Sequence, residues 1–416
     1  MRETGSGQTP RFQEKREAVL SAAARSFNEH GVKGATLSEI AASVGLVTHS
    51  VTYYYRKKED LATACFLRSI AAFDVLAAEA AQEADVAARV HAFFSRHARL
   101  LADIERGTHA PLVGFNDIRA LPEPQAEAVF AAYTDMFRHV RGLLKGPETS
   151  HLSRDDLNAR GHIVLSIVHW VRAWIGRHEV DDYPRVAARV ADVVVRGIHG
   201  TPSCWHAIEA ESGWRLAGDL SGSLEAFLRA ATMLVNEHGY RGASVDKISA
   251  RLNVTKGSFY HHNDTKHDLI SACFERSFGV VRDALNRAEE SPGSGWSRAC
   301  AAARALVRHQ VGESGPLLRT SATSALPDRA HREQVRLTLQ RLTERFGGLV
   351  VDGMMDGSIR PLDPAIFAQG AFAAINAAAE LHRWLPHAKA DDVVDVYVRP
   401  VFEGVLCGAP EARREA

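Results

Sequence analysis

The sequence predicts an all-α protein built from two tandem copies of one unit. Residues Thr36 to Leu61 read TLSEIAASVGLVTHSVTYYYRKKEDL, and Ser244 to Leu269 read SVDKISARLNVTKGSFYHHNDTKHDL. The two copies keep one register, 208 positions apart, from Glu17 and Glu225 to Phe66 and Phe274. Self-similarity at domain length indicates a duplicated fold. Apolar residues recur at helical spacing along the rest of the chain, and no segment alternates with the period of two that is typical of strands.

The totals agree with two soluble units. The chain has 416 residues, 46% of them hydrophobic and 24% charged, which suffices for two sizeable cores. Its 50 basic and 50 acidic residues cancel, so no global field attracts the protein to nucleic acid. Any binding to DNA must therefore depend on a few well-placed lysines and arginines.

Each copy opens with the pattern of a helix-turn-helix. In the first copy an amphipathic helix is predicted over Arg11–His30. Thr36 and Glu39 then form a capping box, in which the hydroxyl accepts from a free amide and the carboxylate reaches back. Gly45 follows the short second helix at a turn that favours positive φ. A third helix is predicted over Thr48–Tyr54, and two short helices so joined place the last one in a DNA major groove.

The second copy repeats this order. Asn253 takes the place of the turn glycine, and a short helix is predicted over about Lys256 to His262. An aromatic run and a lysine follow the turn in both copies. They read Gly257-Ser258-Phe259-Tyr260-His261-His262 with Lys266-His267-Asp268-Leu269, and Tyr53-Tyr54-Tyr55 with Lys58-Glu59-Asp60-Leu61.

This pattern resembles the TetR/AcrR family of transcriptional repressors over the first quarter of each half. The copies depart from it at His49 and Thr52, and at His262 and Asn263. The resemblance implies a three-helix DNA-binding head, followed by helices that form a ligand pocket and a dimer interface. It also implies a dimer that reads a near-palindrome with two heads about one DNA turn apart.

The resemblance and the helix positions together select candidate DNA contacts. Groove contacts are expected from the third helix of each head, and phosphate contacts from tyrosines and from the lysine that opens the next helix. For Tyr54 a place in the core of the head is an equally good interpretation. The candidates are Thr36, Thr48, His49, Ser50, Tyr53, Tyr54 and Lys58, with Ser244, Thr255, Lys256, Gly257, Tyr260, His261 and Lys266.

Further helices follow each head, and an effector is expected among them. They are predicted over 58–84, 86–106, 123–145, 153–177 and 183–199, and over 266–290, 296–311, 328–355, 364–385 and 391–407. The last two of the first half are apolar almost all round, which is typical of helices buried by a partner. Candidate effector contacts are Phe93, Phe94, His97, Phe115, Tyr133, Phe137, Trp170 and Trp174, with Met354, Asn376, Glu380 and Trp384. For any one aromatic, ordinary core packing is the alternative. Asn376 and Glu380 either anchor a ligand or bridge an interface.

The domain organisation follows from these patterns. We expect a disordered arm at 1–10, a first head at 11–57, a first regulatory domain at 58–200, a linker at 201–222, a second head at 223–265 and a second regulatory domain at 266–410. The linker carries Trp205, Ile208 and Trp214, so it is expected to pack along the surface.

Catalytic and metal chemistry finds no support in the motifs. Neither HxxxH nor HExxH occurs, and no GxSxG, phosphate loop or dinucleotide fingerprint is present. The five cysteines have no CxxC spacing, and Cys65 and Cys273 are expected to be buried thiols at equivalent positions. The sequence predicts no cofactor and no enzyme. It also shows no signal peptide and no long apolar span, which favours a reduced cytoplasm.

The sequence therefore predicts a ligand-responsive DNA-binding repressor in which one chain forms a pseudo-dimer with two heads. The last two helices of each half are expected to pack together, and homodimerisation of the chain stays open. The expected partners are double-stranded operator DNA and a small apolar or amphipathic effector, without a membrane. The alternative is a helical binding or assembly protein in which one or both heads no longer bind DNA.

Overall fold

The computed structural model describes residues 10–200, 205, 214–216, 223–242, 244–252, 266–326, 329–386 and 390–408, and these are mainly helical. The first half contains α1 (Pro10–Gly34), α2 (Leu37–Ser43), α3 (Thr48–Tyr54), α4 (Lys58–Ala80), α5 (Val86–Glu105), α6 (Gln125–Gly142), α7 (Arg154–Trp174) and α8 (Tyr183–Arg196). The second contains α9 (Ser223–Gly242), α10 (Val245–Leu252), α11 (Lys266–Glu290), α12 (Gly295–Val311), α13 (Arg329–Met355), α14 (Pro364–Ala377), α15 (Ala390–Val393) and α16 (Arg399–Glu403).

The predicted all-α class is confirmed, since these residues hold no β-strand beyond an isolated bridge between His199 and Ile359. The first helix of each copy breaks at a glycine: Gly31, directly after the predicted helix end at His30, and its counterpart Gly239 have φ values of 70° and 69°. The predicted arm at 1–10 lies outside the described residues except for Pro10, as does most of the linker.

The chain divides into two compact units that do not coincide with the two repeats. One unit comprises Met1–Phe73 and Asp103–Met136, and the other Asp74–Ala102 and Phe137–Ala416. The second unit thus contains the whole second half together with α7 and α8 of the first. The predicted domain boundaries stay a prediction.

In each repeat, an asparagine of the first helix bonds an equivalent loop of its own repeat. In the first unit Asn28 donates to the Leu112 carbonyl at 2.9 Å and accepts from the Gly114 amide at 2.9 Å. In the second, Asn236 donates to the Leu317 carbonyl at 2.9 Å and accepts from the Arg319 amide at 3.1 Å. The repeat therefore continues well beyond the heads.

A serine and an arginine reinforce the same loops from the long helix that follows each head. The Val113 amide donates to Ser69 at 2.9 Å, and the Leu318 amide donates to Ser277 at 2.9 Å. Arg68 donates to the Pro111 carbonyl at 2.7 Å, and its counterpart Arg276 bonds Pro316 at 3.1 Å. The loop segments Pro-Leu-Val and Pro-Leu-Leu lie 205 positions apart, so three residues have been lost between the long helix and the loop of the second copy.

The central part of helix α7 is buried on every side, as its apolar sequence predicts. Every residue from Asn158 to Leu165 is buried, and α7 packs on α14 and on the π-helical turn Val394–Val398 of the second half. Arg160 is only 1% exposed and ties the halves together. Its Nε donates to the Val405 carbonyl at 2.9 Å, and Nη2 donates to the Cys407 carbonyl at 2.9 Å.

Two backbone hydrogen bonds join the halves beside Gly197 and Gly404. The Ile198 amide donates to the Phe402 carbonyl at 2.8 Å, and the Val405 amide donates to the Val194 carbonyl at 2.9 Å. The two donors, Ile198 and Val405, are 207 positions apart, and the two acceptors, Val194 and Phe402, are 208 positions apart. Each half therefore donates to the other half the same bond that it accepts from it.

Gly197 and Gly404 permit this approach because neither has a side chain. Both have positive φ, 65° and 88°, with extended ψ, a region open essentially to glycine alone. A Cβ on Gly404 would lie 2.3 Å from the Val195 carbonyl oxygen and 2.7 Å from the Gly197 amide nitrogen.

The start of the linker also packs on the second half. The Gly200 amide donates to the Ser358 carbonyl at 2.9 Å, and the Arg360 amide donates to the Ile198 carbonyl at 2.9 Å. Trp205 is 2% exposed, and its Nε1 donates to Asp395 at 2.9 Å. The expectation that the linker packs along the surface is confirmed at Trp205, and Trp214 is half-buried, while Ile208 lies outside the described residues.

Helix α4 is long and apolar enough to cross a membrane by length and composition alone. Half of its most apolar window is buried, and its Arg68 and Ser69 bond the 111–113 loop. It is therefore accounted for as a core helix.

We expect Gly404→Ala to destabilise the second unit by about 2–5 kcal/mol, because strained backbone and a close contact add. Gly357→Ala is the matched control, since Gly357 also has positive φ (79°) but nothing lies within 4 Å of its added Cβ. The control should cost about 1 kcal/mol. Urea unfolding of the three proteins measures both changes; equal losses would contradict the close crossing.

We expect the thiols of Cys65 and Cys273 to resist alkylation in the folded protein. Burial raises the pKa of each thiol to about 12. Cys65 donates to the Leu20 carbonyl of α1 at 3.6 Å, and Cys273 donates to the Leu228 carbonyl of α9 at 3.6 Å. At pH 8 both are therefore protonated, and thiols react as thiolates. Mass spectrometry after iodoacetamide treatment, with and without urea, measures this; complete labelling of either residue without urea would contradict it.

Candidate nucleic-acid interface

The capping box of the first head forms as predicted and fixes the start of α2. The Thr36 hydroxyl lies 2.8 Å from Glu39 Oε2, and the Glu39 amide donates to that hydroxyl at 3.2 Å. The Thr36 amide donates to the same carboxylate at 3.2 Å. These bonds lower the pKa of the Glu39 carboxyl, the hydroxyl contact most. Gly45 takes the predicted positive φ, 65°, between α2 and α3.

Helix α3 presents one face to solvent and buries the other. Val51 is fully buried and Tyr55 is 8% exposed, so these residues hold the helix in the head. Thr48 and His49 are exposed, and Tyr53 is 75% exposed. Of the other candidates on α3, Ser50 and Tyr54 are half-buried. The exposed face offers hydroxyl and imidazole groups to solvent.

Tyr54 belongs to a cluster of rings at the edge of the head. Its ring centroid lies 4.8 Å from that of Phe12 in the first turn of α1 and 5.5 Å from that of Tyr53. Tyr54 therefore packs against other rings of the head, as its alternative interpretation as a core residue predicts, but it is only half-buried. Sequence reasoning missed Phe12, since its position beside α3 depends on how α1 crosses the head.

Lys58 serves the fold of the head. Its Nζ donates to the Ala35 carbonyl at 2.9 Å and to the Lys33 carbonyl at 3.3 Å, so it binds the chain between α1 and α2. This use was not foreseen, and an alanine substitution would disturb the head as well as any phosphate contact. The phosphate contact stays a prediction.

Most candidates of the second head lie outside the described residues: Thr255, Lys256, Gly257, Tyr260 and His261. Ser244 is described, and its hydroxyl accepts from the Lys247 amide at 3.3 Å as an N-cap. Lys247 is at the position that corresponds to Glu39 of the first head. Because lysine has no carboxylate, the bond from the side chain back to the N-cap amide is made in the first head and has no counterpart at Lys247. Lys266 is the first residue of α11, as predicted.

The candidate effector residues of the first half divide between the two units. Phe115 and Tyr133 belong to the first, with ring centroids 5.4 Å apart. The second holds the others, of which Phe93, Phe94, His97, Phe137 and Trp174 are buried. Trp170 is half-buried, and its Nε1 donates to Gln369 at 2.8 Å.

Three histidines in the second unit, the buried His97 and His162 and the half-buried His169, are neutral at physiological pH. Burial lowers the pKa of His97 and of His169 to about 3, aided by Arg172 near His97 and by His97 near His169. Burial also lowers the pKa of His162 to about 4, and its Nδ1 lies 3.1 Å from the Tyr397 hydroxyl. They supply polar contacts without charge. The described residues contain no group of three or more His, Cys, Asp or Glu side chains able to hold a metal ion.

The candidates of the second half make contacts within the fold. Asn376 accepts from the Thr320 amide at 3.4 Å, and Glu380 forms an ion pair with Arg319. Trp384 stacks on Phe137 of the first half with centroids 3.6 Å apart, so this pair bridges the halves. Met354 is half-buried on α13.

Comparison with known proteins places both heads in one family. The profile of bacterial regulatory proteins of the tetR family matches residues 19–65 and 227–273. The transposon Tn10 TetC protein of Escherichia coli is 34% identical over 79 residues, which are 19% of this chain and 40% of that protein. The negative regulator IcaR of the biofilm operon icaADBC of Staphylococcus epidermidis is 37% identical over 57 residues, 14% of this chain and 31% of that protein.

The chain thus matches less than half the length of these two relatives. Among solved structures, the TetR family regulator PfmR from Thermus thermophilus is similar at 19% identity and a TM-score of 0.37, covering 43% of this chain and 97% of that one. The profile is matched twice, in the register of the internal repeat, so the two heads of this chain belong to the tetR family of bacterial regulatory proteins.

Proposed function

We propose that this chain is a transcriptional repressor that binds operator DNA with two heads supplied by one polypeptide. The exposed face of α3 carries the proposal. Val51 and Tyr55 anchor that helix while Thr48, His49 and Tyr53 stay open to a groove. Direct readout of base edges requires a helix that is anchored in the protein on one face and exposed on the other.

The reciprocal backbone bonds at Gly197 and Gly404 support an intrachain pseudo-dimer. A homodimer of single units would need two chains to form an isologous interface. Here the reciprocal contacts join two halves of one chain, and buried Arg160 adds a charged anchor to the C-terminal segment. We therefore propose that one chain takes the place of a homodimer on DNA.

The proposed effector is a small apolar or amphipathic molecule bound among the helices of the first half. Phe93, Phe94 and Phe137 are buried apolar rings in the second unit, and neutral His97 is a buried polar group without charge. The stack of Phe137 on Trp384 connects this group of rings to the other half. A ligand that shifted this stack would change how the halves pack, which is how effector binding would alter DNA affinity.

We expect purified protein to select duplex DNA that contains two related but unequal half-sites, because the two recognition helices carry different residues. Repeated selection from a randomised duplex library, followed by sequencing, measures this. Recovery of no enriched sequence, with no salt-dependent binding, would favour the alternative of a helical assembly protein. Recovery of a perfect palindrome would contradict the use of both heads in one chain.

We expect the double substitution Thr48→Lys, His49→Gly to raise the affinity for a site symmetrised toward the second head, relative to the selected site, by about tenfold or more. A good specific base contact contributes about 1–3 kcal/mol. Titration of both duplexes with both proteins measures the ratio. Ser38→Ala is the control, because this exposed residue of α2 lies outside the groove-facing set. An unchanged ratio would contradict base contact by Thr48 and His49.

A further inference from the structure

Three aromatic rings join the first turn of α1 to the end of α3. We call Phe12, Tyr53 and Tyr54 the aromatic clasp. The Phe12 centroid lies 5.9 Å from that of Tyr53 at an interplanar angle of 79°, and 4.8 Å from that of Tyr54 at 46°. Tyr53 and Tyr54 are themselves 5.5 Å apart at 84°. Edge-on and tilted contacts at these distances are attractive.

A second contact continues the clasp one turn along α1. The Arg16 guanidinium lies 5.6 Å from the ring centroid of Tyr55, which is buried in the head. Residues 12 and 16 of α1 therefore both bind the C-terminal end of the recognition helix. The first two turns of α1 are held by side chains, whereas the first turn of a helix otherwise frays readily because its amides have no partners within the helix.

Two exposed basic residues lie on these turns. Arg11 and Lys15 are one helical turn apart, so their side chains share a face of α1, and Lys15 is one turn beyond Phe12. Because the clasp fixes the rotation of α1 about its axis, it also fixes where these two charges stand relative to the exposed face of α3.

We infer that Phe12 is a positioning residue for DNA binding: it holds Arg11 and Lys15 where they contact the phosphates beside the groove that α3 enters. This inference rests on the proposed function. Charges held in place before binding lose less conformational entropy than charges on a fraying helix end. Phosphate contacts so made add affinity without sequence preference.

The sequence of the second head differs at the three positions that correspond to the clasp. The positions 208 residues beyond Phe12, Tyr53 and Tyr54 are Leu220, His261 and His262, and they lie outside the described residues. Leucine supplies no ring, so the sequence of the second head does not allow the same three-ring cluster. The effect of Phe12 should therefore be confined to the half-site that the first head reads.

The test compares Phe12→Ala, Phe12→Tyr and the double variant Arg11→Ala, Lys15→Ala on the selected duplex, with Gln13→Ala as the control on the same turn. Binding is titrated over a series of salt concentrations. Each phosphate contact contributes about 0.9 to the slope of log affinity against log salt. Phe12→Ala and the double variant should each reduce that slope by about 2, whereas Phe12→Tyr and Gln13→Ala should leave it unchanged.

A combined variant separates positioning from an independent role. Adding Phe12→Ala to Arg11→Ala, Lys15→Ala should change the slope no further, because Phe12 acts through those two residues. A further reduction in slope, or an unchanged slope for the double variant, overturns the inference whether or not Phe12→Ala folds normally. Wild-type protein that binds without any salt dependence contradicts the proposed function itself.

Discussion

The second unit depends on the reciprocal pair of backbone hydrogen bonds at Gly197 and Gly404. Backbone atoms meet there at distances that exclude any side chain, so both positions require glycine. The pairing fixes how the ends of α8 and α16 cross, and the crossing brings α7 against α14. Arg160 can then reach the carbonyls of Val405 and Cys407, which satisfies a charge that burial would otherwise penalise heavily.

Much of the first head could be predicted because its determinants are local. The capping box, the turn glycine and the limits of α3 each depend on residues within a few positions, and each is confirmed. Lys58 and Phe12 could not be assigned in the same way, because their partners lie more than 20 positions away. The Pro-Leu-Val and Pro-Leu-Leu segments were a readable signal of the repeated loop, but a three-residue deletion takes them out of the constant register.

Duplication within one chain frees the two heads to diverge. In a homodimer of identical subunits, any change in a recognition helix appears twice. In this chain the first head has a complete capping box and an aromatic clasp, while the second has Lys247 and Leu220 at the corresponding positions. The same freedom applies to the bundles. The first carries the large aromatics Phe93 and Phe94, and the packed helix α12 of the second is rich in buried alanine.

The central claim is that one chain supplies both heads to one operator, and native mass spectrometry of the protein with its selected duplex tests it most directly. Because reciprocal backbone hydrogen bonds already join the two halves of one chain, we expect one chain per duplex across the range of concentrations that saturate the DNA. We expect a single chain in the absence of DNA as well. Two chains on each duplex at saturation, with free protein that is also dimeric, would contradict this claim.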